Sequence, residues 1–187
     1  SENADPWLCK INGKELFLQG VNWTPIRPNF ADVKKDQYRK RLDFYRSIGL
    51  NILRVWGGFT LEKQLFYDLC DELGLLVWQE LPLSSSGLEN FPPDDYEIVE
   101  QYKLITDSYI KRRHHHACLL LWSGGNELTD KQGNPLGLEH PLFEAANNII
   151  KQKDPQHRFI PTSPSGPSYL GKKENYGKNM HWDVHGP

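Results

Sequence analysis

Cys118-Leu-Leu-Leu-Trp-Ser-Gly-Gly-Asn-Glu127 is the stretch from which the architecture can be read. An unbroken apolar run of this length is a strand buried on both faces, the kind that parallel sheets require. Ser-Gly-Gly then breaks the strand, and the two glycines allow a sharp turn and a close backbone approach. Asn126 and Glu127 follow at once. A carboxylate just past a buried parallel strand sits where barrels and open α/β sheets keep their chemistry, at the carboxyl ends of the strands. Position alone leaves two readings of Glu127 open: a catalytic or binding carboxylate, or a cap on the next element.

Outward from that strand, one unit recurs. Two short apolar runs around Asn12-Gly13 read as a hairpin, whose second arm continues through Gln19-Gly-Val-Asn-Trp23 as the first strand. Residues 36–48 carry Tyr38, Leu42, Tyr45 and Ile48 at helical spacing, and Gly49 is a stop. Strand 51–56 is followed by helix 60–73, with Leu61, Leu65, Leu69 and Leu73 on one face, and then by Gly74 and strand 75–80. A Pro- and Ser-rich loop, 82–93, leads to a long helix over 94–113 with the stripe Ile98, Tyr102, Ile105 and Tyr109. After the strand quoted first come helix 141–153, a weaker strand 158–163, and a possible sixth strand over 180–184. Strand and helix in alternation give a parallel sheet. The fold expected is α/β, of (β/α)8 TIM-barrel type. Such a barrel takes about 250 residues, so 187 residues with five or six strands are expected to form part of one barrel, the N-terminal part.

Composition narrows the partners. With 22 basic and 24 acidic side chains the net charge is −2, which favours neither nucleic acid nor an anionic membrane surface. No apolar run reaches transmembrane length, and no secretory leader opens the chain. Cys9, Cys70 and Cys118 are odd in number and widely spaced, so buried free thiols are expected. His114-His115-His116 invites a metal reading. Three adjacent side chains point in different directions, so ordinary polar residues are expected there, with no metal and no cofactor. A metal-dependent hydrolase built on that cluster is a weaker rival.

The strand ends gather the polar groups. Alternation puts Arg54 with Trp56, and Trp78 with Glu80, on one face of their strands. With Asn22 and Trp23 after the first strand, and Asn126 and Glu127 after the fourth, polar groups and several indoles are expected at one mouth. Indoles stack on the C–H face of a pyranose while Asn, Arg and carboxylates match its hydroxyls, so a carbohydrate site is the natural reading. Asn22-Trp23-Thr24 is also a glycosylation sequon, but its place at the mouth argues for binding.

Four segments in order carry a family resemblance: Phe17-Leu-Gln-Gly-Val-Asn-Trp-Thr-Pro25, Asn51-Ile-Leu-Arg-Val-Trp-Gly-Gly58, Phe66-Tyr-Asp-Leu-Cys-Asp-Glu-Leu-Gly-Leu-Leu-Val-Trp-Gln-Glu80 and Leu121-Trp-Ser-Gly-Gly-Asn-Glu127. Together they resemble the catalytic barrel of glycoside hydrolase family 2, most of all its β-mannosidase branch. The resemblance implies a retaining hydrolase of β-mannosides or related β-glycosides, with an oligosaccharide or glycoside substrate. Glu127 would be the general acid/base and Asn126 the partner of the sugar 2-hydroxyl. Arg54 would orient the nucleophilic carboxylate, and Trp56 and Asn22 would line the sugar subsite. Glu80 would be a binding or structural carboxylate, and His185 a sugar contact. The family's nucleophile is a Glu in a Glu-Phe-Gly context at the seventh strand. No such segment occurs by Pro187, so this polypeptide alone is expected to be inactive. The resemblance also implies upstream β-sandwich domains and favours a periplasmic, secreted or lysosomal setting. Three positions depart from the branch: Phe59 stands for a third glycine, Ser123-Gly124-Gly125 for Ser-Gly-Asn, and Glu80 for Asp. A non-catalytic partial barrel that binds glycan or self-associates is the alternative.

Overall fold

A computed structural model describes residues 9–87 and 89–164. The possible sixth strand and His185 lie outside the described residues. Five strands form one parallel sheet: β3 (Gly20–Trp23), β4 (Ile52–Val55), β5 (Leu76–Glu80), β6 (Leu119–Ser123) and β7 (Arg158–Ile160). Their spatial order is their chain order, each strand pairing with its successor. That is the singly wound wall of a (β/α) barrel, without the reversal of order that marks an open doubly wound sheet. Helices α1 (Lys35–Ser47), α2 (Gln64–Leu73), α3 (Tyr96–Arg113) and α4 (Pro141–Lys153) cross between successive strands.

The hairpin is present but smaller than expected. Strands β1 (Lys10–Ile11) and β2 (Lys14–Glu15) pair antiparallel as a separate ribbon. The turn residues Asn12 and Gly13 both have positive φ, 51° and 77°, as a two-residue hairpin turn demands. The second arm does not run on into β3. Between them the Asn51 side chain takes the place of a strand neighbour, accepting from the Gln19 amide at 2.8 Å and donating to the Phe17 carbonyl at 2.8 Å.

Between sheet and helices lies the core, in which Leu53, Val77, Phe66, Leu69 and Leu142 are fully enclosed. Cys9, Cys70 and Cys118 are free and buried. Two expected stripes shift. Ile48 is 53% exposed and Ile98 is 43% exposed. In α3 the inward face is instead Tyr102, Thr106, Tyr109, Ile110 and Arg113. Helix α2 starts four residues later than its pattern suggested, because Glu62 turns inward instead of entering the helix.

Glu62 also explains where Trp23 goes. Trp23 was expected at the mouth beside Asn22, but neighbours along a strand face opposite ways. It lies behind the sheet, 4.7 Å from Phe66 and stacked on Tyr38 at 6.2 Å between ring centroids. Its indole N–H donates to Glu62 Oε1 at 3.0 Å, and the Tyr38 hydroxyl donates to Oε2 at 2.7 Å. Burial, then the adjacent carboxylate, push the Tyr38 hydroxyl up, so it remains a donor. Trp122 is buried in the same manner, its N–H donating to Asp154 at 2.7 Å. A buried donor that loses its acceptor costs about 1–3 kcal/mol. Glu62→Ala leaves two such donors and is expected to lower the unfolding free energy by roughly 2–6 kcal/mol. Urea unfolding followed by tryptophan fluorescence measures this; a change below about 1 kcal/mol would remove Glu62 from the role.

Candidate active site

Parallel register carries the polar groups to one level. Asn22 pairs with Arg54 and Arg54 with Trp78 across β3, β4 and β5, while Glu80 pairs with Ser123 on β6. Their side chains face the concave side of the sheet. There an open cleft of about 530 Å³ is lined by Gly20, Asn22, Ile52, Arg54 and Trp78.

Arg54 is the hub. Its Nε and Nη2 donate to Glu80 Oε1 at 3.0 and 2.8 Å, its Nη1 to Asn22 Oδ1 at 3.0 Å, and its Nη2 also to Asn126 Oδ1 at 2.6 Å. The guanidinium carbon lies 5.6 Å from the Trp78 ring centroid, within reach of a cation–π attraction. Glu80 is 1% exposed, and its Oε2 accepts from the Gly57 amide at 2.7 Å. Burial pushes the Glu80 carboxyl above the usual carboxylate range. The Arg54 charge and the Gly57 amide pull it back, and the nearby charge of Glu127 adds to the rise.

Two glycines bring Asn126 and Glu127 to this hub. A Cβ on Gly124 would stand 2.2 Å from the Pro161 carbonyl oxygen, and one on Gly125 2.6 Å from that of Leu83. The chain thus passes between its neighbours in a space that side chains would close. The Tyr102 hydroxyl of α3 donates to the Gly124 carbonyl and ties the turn to the helix layer. Beyond the turn, Asn126 pairs in parallel with Ser84, its amide donating to the Leu83 carbonyl at 2.9 Å and its carbonyl accepting from the Ser85 amide at 3.0 Å.

The Asn126 side chain is set from both ends. Oδ1 accepts from Arg54, and Nδ2 donates to Ser84 Oγ at 3.1 Å. Glu127 is half-buried and has a φ of 57°, a left-handed backbone that non-glycine residues adopt at a cost of about 1–3 kcal/mol. Neighbouring hydroxyls offset it. The Glu127 amide donates to Ser163 Oγ and the Leu128 amide to Thr162 Oγ1, each at 2.9 Å. The carboxylate Oε2 accepts from Ser85 Oγ at 3.1 Å.

Asn22, Arg54, Glu80 and Asn126 are therefore joined directly, and Glu127 is the next residue along. Trp56 follows β4, half-buried, with its indole packed on Gly58. His185 lies outside the described residues. Of the expected indoles Trp23 is absent from the mouth, as described above. Ser84 and Ser85 were not foreseen. The signal available was a run of three hydroxyls, 84–86, four residues past a strand-end carboxylate. The histidine run does not act as a set: His116 alone is buried, with Nδ1 2.6 Å from Asp71 Oδ2 and Nε2 2.9 Å from the Gln64 side chain. His116, Asp71 and Cys118 bring possible ligand atoms within 4.8 Å of one another. Burial pushes the Asp71 carboxyl up, but its bonds to His116 and the Cys118 amide hold it below the ordinary value.

Known proteins resemble this chain in sequence and in fold. The family model for glycosyl hydrolases family 2, TIM barrel domain, matches residues 6–160. β-Mannosidase B of Emericella nidulans is 28% identical over 205 residues, covering 98% of this chain and 23% of its own length. β-Mannosidase of Capra hircus is 36% identical over 119 residues, covering 63% of this chain and 13% of its own length. Among solved structures, the β-D-mannosidase of Dictyoglomus thermophilum superposes with a TM-score of 0.76 at 28% identity, covering 98% of this chain and 22% of that one. A β-glucuronidase of Parabacteroides merdae, at 23% identity and a TM-score of 0.63 over 79% of this chain and 18% of its own, shares the fold. This chain spans less than a quarter of the length of these relatives. With the family match running through all five strands and the strand-end site they carry, the chain belongs to the family 2 glycosyl hydrolases, within their TIM barrel domain.

Proposed function

We propose that this chain carries the acid/base half of a retaining β-glycosidase that cleaves β-mannosides or a closely related β-glycoside. The observation that carries the reading is the fixed Asn126–Glu127 pair at the end of β6, one residue held by Arg54 and the next presenting a half-buried carboxylate. In this reading Glu127 gives its proton to the departing glycosidic oxygen. As the resulting carboxylate it then takes a proton from the water that releases the glycosyl-enzyme. Asn126 uses one amide N–H on Ser84 and offers the other to the sugar 2-hydroxyl. Asn22 and Trp56 line the sugar subsite.

Retention requires a second carboxylate about 5–5.5 Å from the first. Glu80 is unsuited to that task, being enclosed and accepting three N–H groups. The resemblance to family 2 instead assigns the nucleophile to a glutamate on a seventh strand beyond this chain, together with the remaining strands; upstream β-sandwich domains complete the proposed whole. Arg54 has five N–H groups, of which four bonds to Glu80, Asn22 and Asn126 use four. The fifth, on Nη1, is left to orient the incoming nucleophile. The sugar is assigned from relatives named as β-mannosidases and from the Arg54-Val-Trp-Gly-Gly58 segment.

Hydrolysis of aryl β-mannoside, β-glucoside, β-galactoside and β-glucuronide by the full-length protein tests both parts of the proposal. Glu127→Ala is expected to lose about 10²–10⁴-fold on substrates with poor leaving groups. It should largely spare activated ones once azide is supplied, with a β-glycosyl azide as product. Equal activity of variant and parent would sink the assignment of Glu127. Glycan binding without hydrolysis by the parent would favour a non-catalytic module.

Arg54→Lys keeps the charge but cannot reach Glu80, Asn22 and Asn126 together. Hydrogen bonds to charged groups contribute about 1.5–3 kcal/mol each, so kcat/KM should fall by roughly 10²-fold or more. Steady-state kinetics with a melting curve would decide; parental kcat/KM in a folded Arg54→Lys protein would show that Arg54 is not the organising group.

A further inference from the structure

We infer that Ser85 is the positioning residue of the acid/base carboxylate: its hydroxyl sets the rotation of the Glu127 side chain and so decides which oxygen meets the leaving group. The inference rests on the reading of Glu127 given above. Ser85 lies outside every segment that carries the family resemblance, in the loop that the sequence marks only as polar and Pro- and Ser-rich.

The geometry is built, because β5 does not stop pairing where its regular ladder ends. After Glu80 the chain runs on beside the β6 turn, and Ser84 forms a parallel bridge with Asn126. The Asn126 amide donates to the Leu83 carbonyl, and the Ser85 amide donates to the Asn126 carbonyl. Main-chain bonds on both sides of Asn126 therefore fix the loop in register. That register matches two consecutive serines to two consecutive site residues. Ser84 Oγ takes the Asn126 amide at 3.1 Å, and Ser85 Oγ gives its proton to Glu127 Oε2 at 3.1 Å. From the opposite flank, Ser163 Oγ on the segment after β7 holds the Glu127 amide at 2.9 Å. The residue is thus clamped by its backbone from one neighbouring strand and by its carboxylate from the other.

The chemical consequence concerns one bond. A carboxyl group rotates about Cγ–Cδ, and proton transfer requires one oxygen within about 2.6–3.2 Å of the glycosidic oxygen. The Ser85 hydroxyl on Oε2 fixes the rotation of the carboxyl group and with it the direction in which each oxygen points. When Ser85 loses its hydroxyl, the carboxyl samples other rotations and transfer to a poor leaving group slows. Departure of a good leaving group needs no proton and is indifferent to the change.

Ser85→Ala in the full-length protein should reduce kcat/KM about tenfold, the factor of one hydrogen bond, for an alkyl β-glycoside or disaccharide. For the dinitrophenyl glycoside of the same sugar it should change kcat/KM less than about threefold. Ser85→Thr, which keeps the hydroxyl, should recover most of the loss. In a Glu127→Ala background, adding Ser85→Ala should cost nothing further, because the two residues act as one unit. A Ser85→Ala loss equal for both leaving groups, a threonine variant as impaired as the alanine one, or a full additional loss in the Glu127→Ala background would each overturn the assignment of Ser85. If Glu127→Ala itself spares the poor leaving group, the acid/base reading fails first and takes this one with it.

Discussion

Removing Arg54 and Glu80 from water is costly, and the concave face of the sheet depends on how that cost is met. A buried ion pair is often no more stable than a well-packed apolar pair of the same volume, while one partner left alone is strongly destabilising. Here Arg54 and Glu80 are matched by further donors and acceptors: Asn22, Asn126 and the Gly57 amide complete their hydrogen bonding. Those additional partners come from three other chain segments. The pair therefore does more than hold β4 to β5, since it specifies where β3, the turn after β4 and the turn after β6 must lie. Parallel register makes this possible, with Asn22 opposite Arg54 and Arg54 opposite Trp78. A slip of one residue would turn Arg54 toward the helices and bring Leu53 to the cleft.

The turn after β6 shows the same dependence at the level of the backbone. Gly124 and Gly125 pass so close to the Pro161 and Leu83 carbonyls that a side chain at either would force the strands apart. The close passage lets Asn126 bond to Leu83 and Ser85, and it also delivers Glu127 in a left-handed conformation. An unfavourable φ at a site residue is tolerable only where the surroundings over-determine it. Thr162 and Ser163, placed after β7, do so through the amides of Leu128 and Glu127. Strain at one residue is thus offset by hydroxyls from a neighbouring strand.

Much of this was legible because it is local. The strands announced themselves as apolar runs, their ends as polar residues, and the helices as leucine and tyrosine spacing closed by Gly49 and Gly74. The meeting of Arg54, Glu80, Asn22 and Asn126 was legible for the same reason, since register gathers strand ends whatever their detailed contacts. Alternation groups Arg54 with Trp56 and Trp78 with Glu80, register sets Arg54 beside Trp78, and the same alternation places Trp23 on the face opposite Asn22. Abundance of tryptophan suggested sugar stacking, whereas Trp23 and Trp122 spend their indoles on the core and their N–H groups on Glu62 and Asp154. Ile48 and Ile98 were misread because periodicity gives a stripe but not the length over which a partner covers it. The roles of Ser84 and Ser85 could not be read at all. Each depends on a residue 42 positions away, and a serine after a strand is equally at home in any turn.

Two carboxylates near one mouth invite the idea that they share the chemistry, and their surroundings argue against it. Glu80 accepts three N–H groups, is sealed from solvent and faces a guanidinium. A nucleophile so engaged would have to break those bonds before attacking, leaving Arg54 without its buried partner. Glu127 stands at the half-open side of the same network, with a hydroxyl on one oxygen. In the proposed reading Glu127 takes up and releases a proton in each turnover, a task that needs access and a fixed direction, and its half-buried position with Ser85 on Oε2 suits both. Glu80 supplies something different: its negative charge helps to balance Arg54. With that balance in place, Arg54 holds Asn126 and keeps one N–H beyond those given to Glu80, Asn22 and Asn126. The division of labour we propose rests on burial and on hydrogen-bond count, and it would be lost if the two acids exchanged places.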